Sequence, residues 1–227
     1  MIYDYLKRIN IICGHYGAGK TNLALNLALG LASSGKPVTL VDMDIINPYF
    51  RSGDYKTQLQ AAGVRVIAPN FVATNVDVPS LPAEIASVFT DKTATVIIDL
   101  GGDDAGAFAL GRYREQILAD DYALFYVCNF FRSLTPKVQE AAELFEEINT
   151  VLQLQPTAVI NNSHLQHLTT TEVLQQGYKK SVELSSLLKL PLAATAVEKQ
   201  TAKKIAENED PSAIKNIYPV EIYVKAF

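Results

Sequence analysis

Gly14, Gly19, Lys20 and Thr21 stand in the stretch CGHYGAGKTN at the spacing G-x-x-x-x-G-K-[ST]. The chemistry of that spacing is phosphate capture. Glycines let successive backbone N–H groups turn around an anion, and a helix that begins at the lysine adds its dipole to the same charge. Lys20 reaches the β- and γ-phosphates, and the Thr21 hydroxyl ligates Mg²⁺. The contact set for a bound nucleotide is then Gly14, His15, Tyr16, Gly17, Ala18, Gly19, Lys20, Thr21 and Asn22.

Two acidic stretches complete such a site. TATVIIDLGGDD ends an apolar run at Asp99, where a carboxylate holds Mg²⁺ through water, and Gly101 and Gly102 let a backbone N–H approach the terminal phosphate. Asp99 could also serve only as a cap for the next helix. LVDMDIINPYFRS carries Asp42 and Asp44 one residue apart, so a strand running straight through them turns both to one side. One would order water on the metal and the other the attacking water. Turn chemistry at Asn47 and Pro48 explains the same polarity without catalysis.

The elements that must position these residues follow from hydrophobic pattern. Strands are expected at 8–13, 37–42, 64–68, 94–100, 122–129, 157–161 and 192–197, with helices at 20–34, 55–62, 82–89, 107–119, 136–152, 171–188 and 200–207. Runs such as VIIDL are continuously apolar, as strands of a parallel sheet covered on both faces must be. The expected fold is α/β, a doubly wound, mostly parallel sheet with helices on both faces, in one P-loop nucleotide-binding domain over residues 1–227. The segment NFVATNVDVPSL, 70–81, has no clear period and reads as a surface loop or partner site.

Composition sets limits on function. The chain has 227 residues, 48% hydrophobic and 19% charged, with a net charge of -4, so it carries no overall positive field to hold a polyanion. Its two cysteines, Cys13 and Cys128, lie in apolar runs, which argues against a disulfide framework and for a cytoplasmic setting. The N-terminal MIYDYLKR is too polar for a signal peptide, and no membrane anchor is expected. His164 and His167 read as loop residues rather than metal ligands.

GHYGAGKT, VDMDIINP and DLGGDD, in that order over residues 8–207, resemble the deviant Walker A ATPases, the family of MinD, ParA and the nitrogenase iron protein. The resemblance implies ATP and Mg²⁺ as cofactors. It assigns Lys20 and Thr21 to phosphate and metal, Asp42 to the metal shell, Asp44 to positioning water, and Gly102 to sensing the terminal phosphate. VINN is similar to the family's adenine-recognising strand end, with Asn161 and Asn162 offering donor and acceptor to the base. His15 takes the place of the signature lysine that crosses a nucleotide-sandwich dimer, which implies a slow enzyme that is a monomer or a homodimer indifferent to nucleotide, with Arg51 a substitute cation. The resemblance leaves two function classes: a weak Mg²⁺-dependent ATPase acting as a nucleotide-state switch for a protein partner, or a biosynthetic enzyme of the dethiobiotin synthetase or cobyrinate amidase type that activates a small carboxylate with ATP.

Overall fold

Eight strands form one sheet in the computed structural model, which describes residues 2–44, 55–68, 83–102, 104–132, 135–165, 168–207 and 214–223. They are β1 (Ile9–Cys13), β2 (Val38–Met43), β3 (Val64–Ile67), β4 (Thr95–Leu100), β5 (Tyr122–Cys128), β6 (Ala158–Asn161), β7 (Leu192–Glu198) and β8 (Ile217–Val220). Their order is β3-β2-β4-β1-β5-β6-β7-β8, and every neighbouring pair is parallel. The chain leaves β1 for β2 on one side, past the position that β4 later fills, and then adds β5 to β8 in sequence order on the other side, so the winding reverses at β1 and ligands of such a sheet gather at its carboxyl end.

The five residues of β1 are all buried, as are the six of β2, because helices cover both faces. Helix α1 (Lys20–Ser33) packs its leucines and alanines against one face, with Ile12, Leu40, Ile97, Phe125 and Ile160 from the strands. Helices α4 (Asp104–Gly111), α6 (Val138–Leu152) and α7 (Thr171–Leu188) cover the other face over Ile11, Met43, Ile98, Tyr126 and Val159. The remaining helices are α2 (Lys56–Ala61), α3 (Ser87–Thr90), α5 (Arg114–Leu118) and α8 (Lys199–Glu207). The fold is therefore the doubly wound parallel α/β sheet expected of a P-loop nucleoside triphosphatase.

Two helices differ from expectation. The run 107–119 is divided into α4 and α5, with Gly111 ending α4 and Tyr113 leaving the helix to stack on Phe89 at 5.0 Å. The run 82–89 resolves into a 3-10 turn at Ala83–Ala86 followed by the single turn of α3. The expected loop 70–81, Asn47, Pro48, Arg51 and His167 lie outside the described residues. Among the described residues no helix is long and apolar enough to cross a membrane.

Candidate functional site

The loop between β1 and α1 is shaped by what surrounds it. Gly14 has φ +148°, and a Cβ there would lie 2.3 Å from the Val127 carbonyl oxygen, so only glycine lets the chain pass β5 at this point. Gly19 has φ +87°, and its missing Cβ is replaced by the Asn162 amide nitrogen, which would stand 2.1 Å away. That amide donates to the Ala18 carbonyl at 2.7 Å. The loop is thus clamped by β5 and by the end of β6.

Lys20 opens α1 and is buried, its ammonium donating to the His15 carbonyl at 3.0 Å. The lysine is thereby folded back over its own loop, in reach of an anion held there. Thr21 follows in the first turn, half-buried. Asn22 turns elsewhere: its side chain donates to the Glu221 carbonyl at 3.0 Å and accepts from the Tyr223 amide at 2.8 Å. Its side chain therefore docks the segment after β8, and sequence spacing alone placed it with the phosphate contacts.

The carboxylates meet beside this loop. Asp42 pairs in register with Asp99 across β2 and β4, and Asp99 pairs with Ile12 of β1. Residues in register on neighbouring strands share a face, so Asp42 and Asp99 stand side by side at the carboxyl ends of the sheet. Strand β2 ends at Met43, so Asp44 does not continue the alternation; its amide instead donates to Asp42 Oδ1 at 3.0 Å. All three carboxylates are buried. A Cβ on Gly102 would lie 2.6 Å from the Tyr16 amide nitrogen and 3.0 Å from Lys20 Nζ, which seats the turn after β4 against the loop.

These oxygen donors fit Mg²⁺, a hard cation usually held by one or two carboxylates together with substrate phosphates. Asp42, Asp99 and the Thr21 hydroxyl are the groups that would hold it. Among the described residues no cluster of three His, Cys, Asp or Glu side chains forms a metal cage. The two cysteines are buried thiols whose pKa burial pushes up to about 12, so they stay protonated.

His15 is turned inward, only 1% exposed. Its Nδ1 lies 2.5 Å from the Tyr16 carbonyl and its Nε2 2.7 Å from the Thr135 hydroxyl. Burial, with help from Lys20 and Arg132, lowers its pKa below the ordinary histidine value. The side chain pins the loop to the segment after β5, and an outward-reaching role like that of a dimer-crossing lysine does not fit this orientation.

Asn161 and Asn162 divide their work. Asn162 holds the loop, while Asn161 is fully buried at the end of β6, its Oδ1 accepting from the Ser163 amide at 3.0 Å and its Nδ2 without a hydrogen-bond partner among the described residues. One further residue joins the site that its sequence neighbourhood did not mark: Arg132, whose Nε donates to the Gly17 carbonyl at 3.1 Å. His164 also lies here, its Nε2 4.0 Å from where a Gly19 Cβ would be, and burial pushes its pKa down to about 4.

No protein-family model matches the chain, and no curated protein matches it. Solved structures do. Cell division protein FtsY of Thermotoga maritima matches with TM-score 0.56 at 18% identity, over 83% of this chain and 61% of that one. The signal recognition particle 54 kDa protein of Aeropyrum pernix, in complex with GDP, matches with TM-score 0.53 at 20% identity, over 82% of this chain and 40% of that one. FtsY of Mycoplasma mycoides matches with TM-score 0.51 at 17% identity, over 85% and 61%. The chain thus spans less than two thirds of each. These likenesses correct the expected MinD- and ParA-like membership, since the matched folds lie in a different branch of the P-loop proteins. The physical reason is that G-x-x-x-x-G-K-T serves phosphate capture in every branch, while the residue that would mark the expected branch is here an inward-facing histidine. At such identities the likeness establishes the P-loop α/β fold of this chain.

Proposed function

We propose that the protein binds a nucleoside triphosphate with Mg²⁺ at residues 14–21 and hydrolyses it slowly, as a switch whose nucleotide state is read by a protein partner. The observation that carries this reading is the convergence of the glycine-shaped loop, Lys20 and the Asp42–Asp99 pair at the carboxyl end of β1. In that arrangement Lys20 and the loop amides hold the phosphates, and Gly102 lies close enough to the loop to respond to the terminal one. Asp44, tied to Asp42, orients the attacking water. Bound Mg²⁺ would neutralise charge on the β- and γ-oxygens.

Adenine is the proposed base. The buried Asn161 amide leaves one N–H₂ donor group uncommitted at the end of β6, and the sequence has no N-K-x-D stretch for guanine. The Aeropyrum structure holds GDP, so a competition titration of ATP against GTP is the direct check; equal affinities would remove the adenine assignment.

Lys20→Ala is expected to abolish binding of a fluorescent ATP analogue, because the lysine meets phosphate charge directly. Asp44→Ala is expected to keep binding and to lose about a hundredfold in phosphate release, measured without any added carboxylate substrate. Hydrolysis at the parent rate in Asp44→Ala would assign the water-positioning role to another group.

A further inference from the structure

Arg132 brings a positive charge to the phosphate loop that the reading above leaves unused. It sits in the turn after β5, and its Nε is anchored on the Gly17 carbonyl at 3.1 Å. Gly17 lies in the middle of the loop, between Tyr16, which is 53% exposed, and the buried Lys20. Anchoring through Nε leaves both Nη groups, with four N–H donors, uncommitted among the described residues. Among the described residues no carboxylate forms an ion pair with Arg132.

A guanidinium that has no acidic partner among the described residues, yet is fixed against a loop shaped to hold an anion, is placed for that anion. The fixing is built from several directions. The Arg132 amide itself donates to the Asn129 carbonyl at 3.4 Å, and the Asn129 side chain accepts from the Phe131 amide at 3.0 Å, making a tight turn at the strand end. Thr135, beyond the arginine, is bonded to His15 of the loop, so the segment that carries Arg132 and the phosphate loop are tied at two points. The charge is felt nearby: it contributes to holding both His15 and His164 in the neutral form.

We propose that Arg132 is a second phosphate cation supplied from within the same chain, contacting the outer phosphate of a bound nucleoside triphosphate through its Nη groups from the Gly17 side of the loop. This rests on the nucleotide-binding reading. Lys20 approaches from its tether on the His15 carbonyl and Arg132 from its tether on the Gly17 carbonyl, two residues along the same loop. A planar guanidinium suits two phosphate oxygens at once, and charge-assisted bonds of this kind are the stronger class. The contact discriminates a triphosphate from a diphosphate, because the diphosphate ends before it.

The test compares affinities for the β,γ-imido triphosphate analogue and for the diphosphate, with Mg²⁺, in the parent, Arg132→Lys and Arg132→Gln. Glutamine keeps a donor for the Gly17 carbonyl and removes the charge; lysine keeps the charge. Arg132→Gln is expected to lower the triphosphate-over-diphosphate ratio by about tenfold or more, with Arg132→Lys retaining most of it. A parent ratio preserved in Arg132→Gln overturns the inference while leaving nucleotide binding intact. Equal losses in the two variants also overturn it, since they would reduce Arg132 to a brace for the loop. A parent protein that binds neither nucleotide overturns both this inference and the reading beneath it.

Discussion

The Tyr16 carbonyl only accepts, so His15 carries a proton on Nδ1, and its Nε2 faces the Thr135 hydroxyl, which also donates to the Asn129 carbonyl at 3.2 Å. A second proton would charge a buried ring beside Lys20 and Arg132, and that opposes it. His164 faces the same penalty more strongly, with burial and the nearby Arg132 charge bringing its pKa from 6.5 to about 4. The folded protein therefore refuses protons that the unfolded chain accepts, and stability falls as pH drops below the unfolded value of about 6.5, the loss from His164 being complete near pH 4. Between pH 7.5 and pH 5, before most carboxylates titrate, His164 alone contributes about 2 kcal/mol of that fall. Urea midpoints at the two pH values measure it. In His164→Asn the difference should shrink by that amount, and an unchanged difference would assign the loss to other groups.

At the scale of elements, the two ends of the sheet have separate duties. The carboxyl end carries the loop and the carboxylates. The amino end is closed by a charge cluster in which Arg8, just before β1, grips Asp120, just before β5, through Nε at 2.8 Å and Nη2 at 2.5 Å. Arg8 also donates to the Val88 carbonyl of α3 at 3.1 Å, and Lys92 pairs with the same carboxylate. Asp120 is 7% exposed and its pKa is held far below the usual carboxylate range, mainly by the Arg8 hydrogen bonds. Asp120→Ala leaves a largely buried guanidinium without its partner and should cost about 3 kcal/mol in urea unfolding, with nucleotide affinity unchanged. A large loss of affinity in that variant would mean that the two ends of the sheet are coupled.

The same contrast explains what could be read from the chain beforehand. Strands such as INIIC and VIIDL declare themselves because burial on both faces demands unbroken apolar runs, and the phosphate loop declares itself because anion capture constrains consecutive residues. Partnerships across long separations leave no such local mark. Thr135 on His15, Arg132 on Gly17 and the segment 221–223 on Asn22 each join residues more than a hundred positions apart. The stacking of Tyr113 on Phe89, where 107–119 divides into two helices, likewise leaves no local mark.

For the whole molecule, the site is an assembly of distant segments. The loop comes from residues 14–21, the carboxylates from the ends of β2 and β4, Arg132 from the turn after β5, and Asn161 and Asn162 from the end of β6 and the residue that follows it. Helix α1 is further tied to the last described segment, since the Glu221 amide donates to Asn26 Oδ1 at 2.8 Å. No short stretch of the unfolded chain contains these groups together, so a nucleotide that uses them binds the folded state alone. Such a ligand at a hundred times its dissociation constant stabilises the fold by about 2.7 kcal/mol. For a chain of this size each kcal/mol moves the melting midpoint by about 2–4 °C, which gives an expected rise of about 5–10 °C with saturating Mg·ATP. Chelating Mg²⁺ should shrink the rise, because Asp42 and Asp99 would then face the phosphates without a cation between them. Lys20→Ala should remove it altogether, and a rise that persists in Lys20→Ala would mean that the nucleotide stabilises the protein from somewhere other than the loop.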